Sequence, residues 1–249
     1  MVSQEDLLAF PEFAEKMTMA GKGLDWEAHE LTTPDGYILT LWRITGDNSV
    51  MRPSTRGPVL LEHGIYSDGL AWMERSDAAS PCFPVMLFEM GFDVWIANTR
   101  GTPFSQGHTL LDPVIDATLY WDYSFSEIGK VDVPAITDYI IKERFDDACA
   151  KITVVCHSTG ATEIMQSAVS DPMFNSKVER IVTLAPCYFI NMNNFELPLQ
   201  DRPSAEAFFG LLDTYGIATL WGPVFAEELR QKMCPTNEFY CNILLGLNE

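Results

Sequence analysis

Seven residues, Val154-Val155-Cys156-His157-Ser158-Thr159-Gly160, leave this 249-residue chain few folds to choose from. An apolar strand enters the segment, and helical spacing from about Ala161 to Val169 leaves it. A strand that reverses into a helix across one residue needs a strained backbone there, with small residues two before and two after. Gly160 meets that demand, and Cys156 stands where the G-x-S-x-G pattern has its first glycine, larger but still small. Such a turn lifts Ser158 above the end of a sheet as a nucleophile. The competing role for Ser158 is N-cap of the following helix, which its hydroxyl also suits. His157 reads as packed beside the strand, because it is adjacent to the serine and points elsewhere.

The flanking sequence fits a sheet built to hold that turn. Leu31–Ile44 contains Pro34-Asp35-Gly36 between two alternating apolar runs, a hairpin signal. Val59–Leu61, Phe92–Ala97, Ile152–Val155 and Ile181–Leu184 are short apolar runs that read as buried strands. Helical spacing over Pro84–Met90, ended by Gly91, and over Ile128–Ile141 separates them. Strands alternating with helices predict an α/β fold: a doubly wound, mostly parallel sheet covered on both faces. From Cys187 onward strands disappear, and Ala205–Leu247 reads as helical, interrupted by Gly222-Pro223. The expected organisation is a core over 1–188 and a partial helical cap over 189–249.

A serine nucleophile needs donors for the oxyanion it creates. One would be the backbone N–H of Thr159, at the helix start. The other would come from the loop after an earlier strand, and Leu61-Glu62-His63-Gly64-Ile65 suits that position. There Gly64 is expected to let the chain turn tightly and aim the amide of Ile65. The candidate site is therefore Ser158 with the amides of Ile65 and Thr159, supported by Cys156 and Gly160.

Composition removes other function classes. A net charge of −19 and a pI near 4.4, without clustered Lys or Arg, argue against nucleic acid and against electrostatic docking on anionic membranes. Contact with lipid would have to be apolar. No run reaches the roughly 18 apolar residues of a transmembrane helix, and the N-terminus lacks the pattern of a signal peptide. Met1 is then either a cytoplasmic start or an internal position of a longer precursor. The four histidines, His29, His63, His108 and His157, are not clustered as a zinc site needs, so no metal is expected. Cys149, Cys156 and Cys187 read as small buried hydrophobes; Cys234 and Cys241 lie close enough to bridge in an oxidising compartment.

Several segments together resemble the acid lipase family, which includes gastric and lysosomal acid lipases. They are T-T-P-D-G-Y-I-L-T-L-W-R-I, L-L-E-H-G-I-Y-S-D, G-F-D-V-W-I-A-N-T-R-G-T-P-F-S and Y-W-D-Y-S-F-S-E-I-G-K-V-D-V-P-A, in the family's order, with the Ser158 turn after them and L-L-G-L-N-E at the end. The resemblance runs from about Asp25 to Glu249. It implies an α/β-hydrolase fold and cofactor-free hydrolysis of neutral lipid esters by Ser-Asp-His chemistry. Ser158 matches the family's nucleophile, and Ile65 and Thr159 match its oxyanion amides, although Thr159 replaces a family Gln. Phe208, Phe209, Leu211, Leu212, Trp221 and Phe225 would either line an acyl groove or form the core of the cap. Relatives are mostly secreted or lysosomal.

One element of that chemistry is missing from the sequence: no histidine follows Ser158. The later acids Glu196, Asp201 and Asp213 fall in the cap segment. Two expectations follow. The chain is a C-terminally truncated sequence of a serine ester hydrolase, whose His and Asp lie elsewhere. Alternatively it is a short form that binds lipid or a protein partner without catalysis. Either way the Ile181–Leu184 strand should form an open, apolar sheet edge.

Overall fold

The computed structural model describes residues 2–20, 24–47, 50–51, 55–74, 80–144, 151–187 and 235. The chain divides into two units, Met1–Asp112 with Tyr123–Tyr188, and Pro113–Asp122 with Phe189–Glu249. The expected cap, its apolar residues Phe208–Phe225, and Cys149, Cys234 and Cys241 lie outside the described residues.

The first unit is built on one sheet. Its strands are β1 (Leu24–Thr32), β2 (Tyr37–Asp47), β3 (Val50–Met51), β4 (Pro58–Glu62), β5 (Asp93–Asn98), β6 (Gly107–His108), β7 (Ile152–His157) and β8 (Val178–Leu184). The main path runs β1-β2-β5-β4-β7-β8, and β3 and β6 pair with β2. The β5-β4-β7-β8 half is parallel, as the apolar runs predict. The β1-β2 hairpin continues it antiparallel across β2 and β5. Gly36, at φ 102°, supplies the left-handed residue of the Pro-Asp-Gly turn, a conformation costly for any side chain.

β4 and β5 are buried along their whole lengths, which is why they read as continuous apolar runs. Alternation divides their side chains between two faces. Val59, Leu61, Val94 and Ile96 enter a cluster with Phe13, Trp26, Trp42, Met73, Val85 and Phe88. That cluster is covered by α2 (Pro11–Ala20), a 3₁₀ turn (Gly69–Met73) and α3 (Phe83–Glu89), with α1 (Gln4–Ala9) leading into α2. Ser3 caps α1 by accepting from the Asp6 amide at 2.9 Å. Phe13 of α2 stacks on Trp42 at 4.0 Å between ring centres and meets Trp26 edge-on at 4.8 Å. The periodic segments singled out from the sequence do not include these two helices.

Trp95, one residue out of phase, lies on the opposite face with its ring 6.3 Å from Tyr139. That face carries a π-helical turn (Ile128–Asp132), α6 (Val133–Arg144) and α7 (Thr159–Ser170). The expected single helix over Ile128–Ile141 is therefore two pieces, led in by a short α5 (Phe125–Glu127) with a Ser124–Glu127 capping box. α8 (Pro172–Lys177) leads into β8. β8 ends the described sheet, with Val182 and Leu184 partly exposed.

Within the second unit, Pro113–Asp122 holds one turn of helix, α4 (Ala117–Tyr120), fastened by the Trp121 indole N–H donating to the Pro113 carbonyl at 3.0 Å.

Candidate active site

β7 delivers its last residue, His157, directly to Ser158, and α7 begins at Thr159. Ser158 sits at φ 52°, ψ −119°, a conformation that costs of order 1–3 kcal/mol for a residue with a side chain. Contacts on both sides of the turn hold it there. The Ser158 amide donates to Leu184 at 3.0 Å, and the Ser158 carbonyl accepts from Ala161 at 3.1 Å and Cys187 at 3.2 Å. Ser158 occupies the position before the helix, yet its hydroxyl makes no capping bond. The N-cap role is thus not the one its side chain performs.

The crossing of two loops explains the small residues. A side chain on Gly160 would strike the His63 carbonyl and crowd Glu62, at 3.1 Å from its Cγ. A Cβ on Gly64 would lie 2.9 Å from Ser158 Cβ and 3.2 Å from the His157 carbonyl. Gly64 has no positive φ, so it serves close approach; the positive-φ residue of this loop is Tyr66, at 55°. The chain does turn directly after Gly64, at residues 65–66. The approach of Gly64 carries the Gly64–Ile65 peptide beside the Ser158 turn. Thr159, as the first residue of α7, has an N–H with no intrahelical acceptor.

His63 fixes that peptide. Its ring is buried; Nδ1 lies 3.0 Å from the Gly64 carbonyl and Nε2 lies 3.3 Å from the Thr99 amide and 3.2 Å from the Thr99 hydroxyl. The amide only donates and the carbonyl only accepts, so Nε2 is the acceptor and Nδ1 carries the hydrogen. Burial holds the pKa of this ring down to about 4, which keeps it neutral in that tautomer at neutral pH. Because the Gly64 carbonyl and the Ile65 N–H share one planar peptide, tying the first orients the second the opposite way.

Under the turn lies a set of buried acids. Asp132 of the π turn accepts from Arg100 through its backbone N–H at 3.0 Å, Nε at 2.8 Å and Nη2 at 2.6 Å. The same guanidinium reaches Asp35 at 2.7 and 3.0 Å and lies 4.0 Å from the centre of the Tyr37 ring. Burial raises the Asp132 pKa and the Arg100 bonds oppose that rise. Glu62, at the end of β4, and Glu163, in α7, are 0% and 6% exposed. Both oxygens of Glu62 and Oε2 of Glu163 have no hydrogen-bond partner. Cys156, fully buried at the end of β7, places its Sγ 3.5 Å from the Val182 carbonyl. Burial, reinforced by Glu62 and Glu163, pushes its thiol up to about 12.

The histidines do not complete a relay to Ser158. His29 is bonded to Tyr139 at 3.0 Å and Glu27 at 2.9 Å; His108 accepts from the Leu110 and Leu111 amides at 3.0 Å each. His63 is engaged with Gly64 and Thr99, and His157 is exposed. No group of three metal-ligating side chains occurs among the described residues, and no described helix could cross a membrane. The sequence pass named Ser158, Ile65, Thr159, Cys156 and Gly160, but not the buried Glu62, Asp132 and Glu163, which are far apart in the chain.

Comparison with known proteins places this geometry in context. A model of the partial α/β-hydrolase lipase region matches residues 17–76, and one of the α/β-hydrolase fold matches residues 57–219. Lipase 1 of Drosophila melanogaster is 34% identical over 171 residues, covering 69% of this chain and 36% of that protein. Gastric triacylglycerol lipase of Rattus norvegicus is 32% identical over 165 residues, covering 66% of this chain and 40% of that protein. The matched region thus spans well under half the length of these two relatives. In structure, a hypothetical protein of Pseudomonas aeruginosa superposes with a TM-score of 0.51 at 14% identity, covering 78% of this chain and 53% of that one; it shares the fold.

Proposed function

The chain belongs to the α/β-hydrolase fold family and carries its partial lipase region, and on that premise we propose that it is built for serine hydrolysis of lipid esters. In this reading Ser158 Oγ attacks the ester carbonyl carbon. The carbonyl oxygen becomes an oxyanion held by the N–H groups of Ile65 and Thr159. Collapse expels the alcohol, which takes up a proton, and leaves an acyl-serine that water hydrolyses to the free acid. Residues 189–249 are read from their sequence as a partial helical cap. The lipid ester as substrate follows from the relatives' names, one of which is a triacylglycerol lipase.

The observation that carries the proposal is the Ser158 backbone at φ 52°, ψ −119°, with a hydroxyl uncommitted to capping. Strain of this kind is kept where the exposed side chain is used. The proton of Ser158 needs a base, and none of the four histidines is hydrogen-bonded to it. A triad enzyme without its base loses on the order of 10⁶ in turnover, while oxyanion donors and binding retain roughly 10³–10⁴ over water.

Site-selective acylation at Ser158 is the expected behaviour of this chain, slow where no base is supplied. On prolonged incubation with a fluorophosphonate, mass spectrometry should place the adduct on Ser158 ahead of every other serine, and Ser158→Ala should lose it. Equal modification of many serines, with a control esterase labelling normally, would remove the basis for a nucleophile at this position.

A further inference from the structure

The acids beneath the turn have no part in the chemistry above, yet they are placed against it. Glu62 ends β4 in register with Cys156 of β7. Its stem runs under the first turn of α7, since a Cβ on Gly160 would lie 3.1 Å from Glu62 Cγ. Glu163 is three residues beyond Gly160, on the same face of α7, and that face is buried. Glu62 thus reaches the buried contact between β4 and α7 from the strand that leads to Ile65, and Glu163 belongs to the same buried face of the helix that follows Ser158.

We infer that Glu62 and Glu163 hold a proton between them there and act as positioning residues for Ser158, seating α7 on β4 while at least one is protonated and forcing them apart when both ionise.

The charged groups facing the pair either add negative charge or are already engaged. Asp132 approaches from the π turn and adds negative charge, and Cys156 approaches from β7 with a thiol that carries none. The cation of the neighbourhood, Arg100, is spent on Asp132 and Asp35. Three of the four Glu oxygens have no hydrogen-bond partner, which for buried carboxylates would be a heavy penalty. A carboxylic acid O–H between them supplies the missing donor. Two like charges in one such site cannot both ionise readily. Burial, with the charge of Asp132 beside Glu62 and the charges of Glu62 and Asp132 beside Glu163, raises both pKa values well above the ordinary carboxylate range.

The direction of the pH effect follows. An acid whose folded-state pKa is raised contributes stability that is complete below its unfolded value, about 4.3, and is lost as pH rises toward the folded value. The pair thus favours the Ser158 turn in acid and loosens it in alkali. Its effect on acylation rests on the proposed nucleophile; its effect on stability does not.

The experiment compares the wild type with Glu62→Gln, Glu163→Gln and the double variant, each amide standing in for a neutral acid that cannot ionise. Melting temperatures at about pH 5 and about pH 8 should fall at least about 3 °C further for the wild type than for the double variant. The ratio of double-variant to wild-type fluorophosphonate labelling should rise across the same range. Infrared spectra of the wild type at neutral pH should contain a protonated-carboxyl band, which needs no variant to fold. Parallel melting profiles, or no such band, overturn the shared proton. If the melting profiles separate while no protein labels at Ser158, the pair stands and the nucleophile falls.

Discussion

Replacing Arg100 by methionine is expected to cost about 4 kcal/mol of unfolding free energy near pH 7 and about 1.5 kcal/mol near pH 5. Methionine keeps an unbranched apolar stem against Tyr37 and removes the charge that Asp132 depends on. A fully buried carboxylate stripped of its partner costs roughly 3–5 kcal/mol. Asp132 can escape by taking a proton, at about 1.4 kcal/mol for each pH unit above an ordinary value near 3.9, and that route caps the loss. The Asp35 pair adds less than about 1 kcal/mol, because Asp35 is 40% exposed and solvent already screens it. In the variant the folded-state pKa of Asp132, already raised by burial, rises further. Its contribution survives below about pH 3.9 and disappears as pH rises, so the defect must grow with pH. Urea unfolding of the wild type, Arg100→Met and Arg100→Met/Asp132→Asn at both pH values measures it. Adding Asp132→Asn should recover most of the loss near pH 7. An equal loss at both pH values with no recovery would mean that Arg100 matters for packing rather than for neutralising Asp132.

Gly64→Ala keeps an allowed backbone but must move a carbon that would lie 2.9 Å from Ser158 Cβ by several tenths of an ångström; fluorophosphonate labelling should drop on the order of 10²-fold for about 1–3 kcal/mol of stability, and unchanged labelling would contradict the approach described. Phe13→Ala should cost about 3–5 kcal/mol in urea unfolding, since the ring is fully buried between Trp26 and Trp42; a loss under about 1 kcal/mol would show that α2 is not part of the core.

What the sequence disclosed was local. Pro34-Asp35-Gly36 named its own turn, and the runs at β4 and β5 are apolar throughout because both faces of those strands are covered. The strand–turn–helix at Ser158 was legible for the same reason, since its small residues are close in the chain. The N-terminal helices left a signal that went unread, with Phe13 and Met17 four apart on one face. Glu62 and Glu163 could not be read that way. A glutamate at the end of an apolar strand has the appearance of a strand terminus reaching water. Only the sheet order, which sets β4 beside β7 and α7 over both, turns it into a buried acid facing another. A second constraint on Gly64 was hidden for a related reason: it comes from Ser158, 94 positions away, and not from its own φ.

Strain and buried charge are collected around a single turn. The left-handed serine, the glycine contacts that admit no Cβ, the neutral His63 and the unpartnered carboxyls all lie where β4 and β7 give way to their loops. Each would be destabilising alone, and a domain has only about 5–15 kcal/mol to spare. They persist because the surrounding contacts act on shared elements: the Ser167 hydroxyl ties α7 to the Gly129 carbonyl of the π turn, Arg100 ties that turn to the loop after β5, and Thr99 of the same loop holds His63. Loosening any one of these should therefore reach the Ser158 hydroxyl through the backbone, without touching it. That places the control of the site in its supporting loops, where substitutions to chemically similar residues will separate stability from acylation most cleanly.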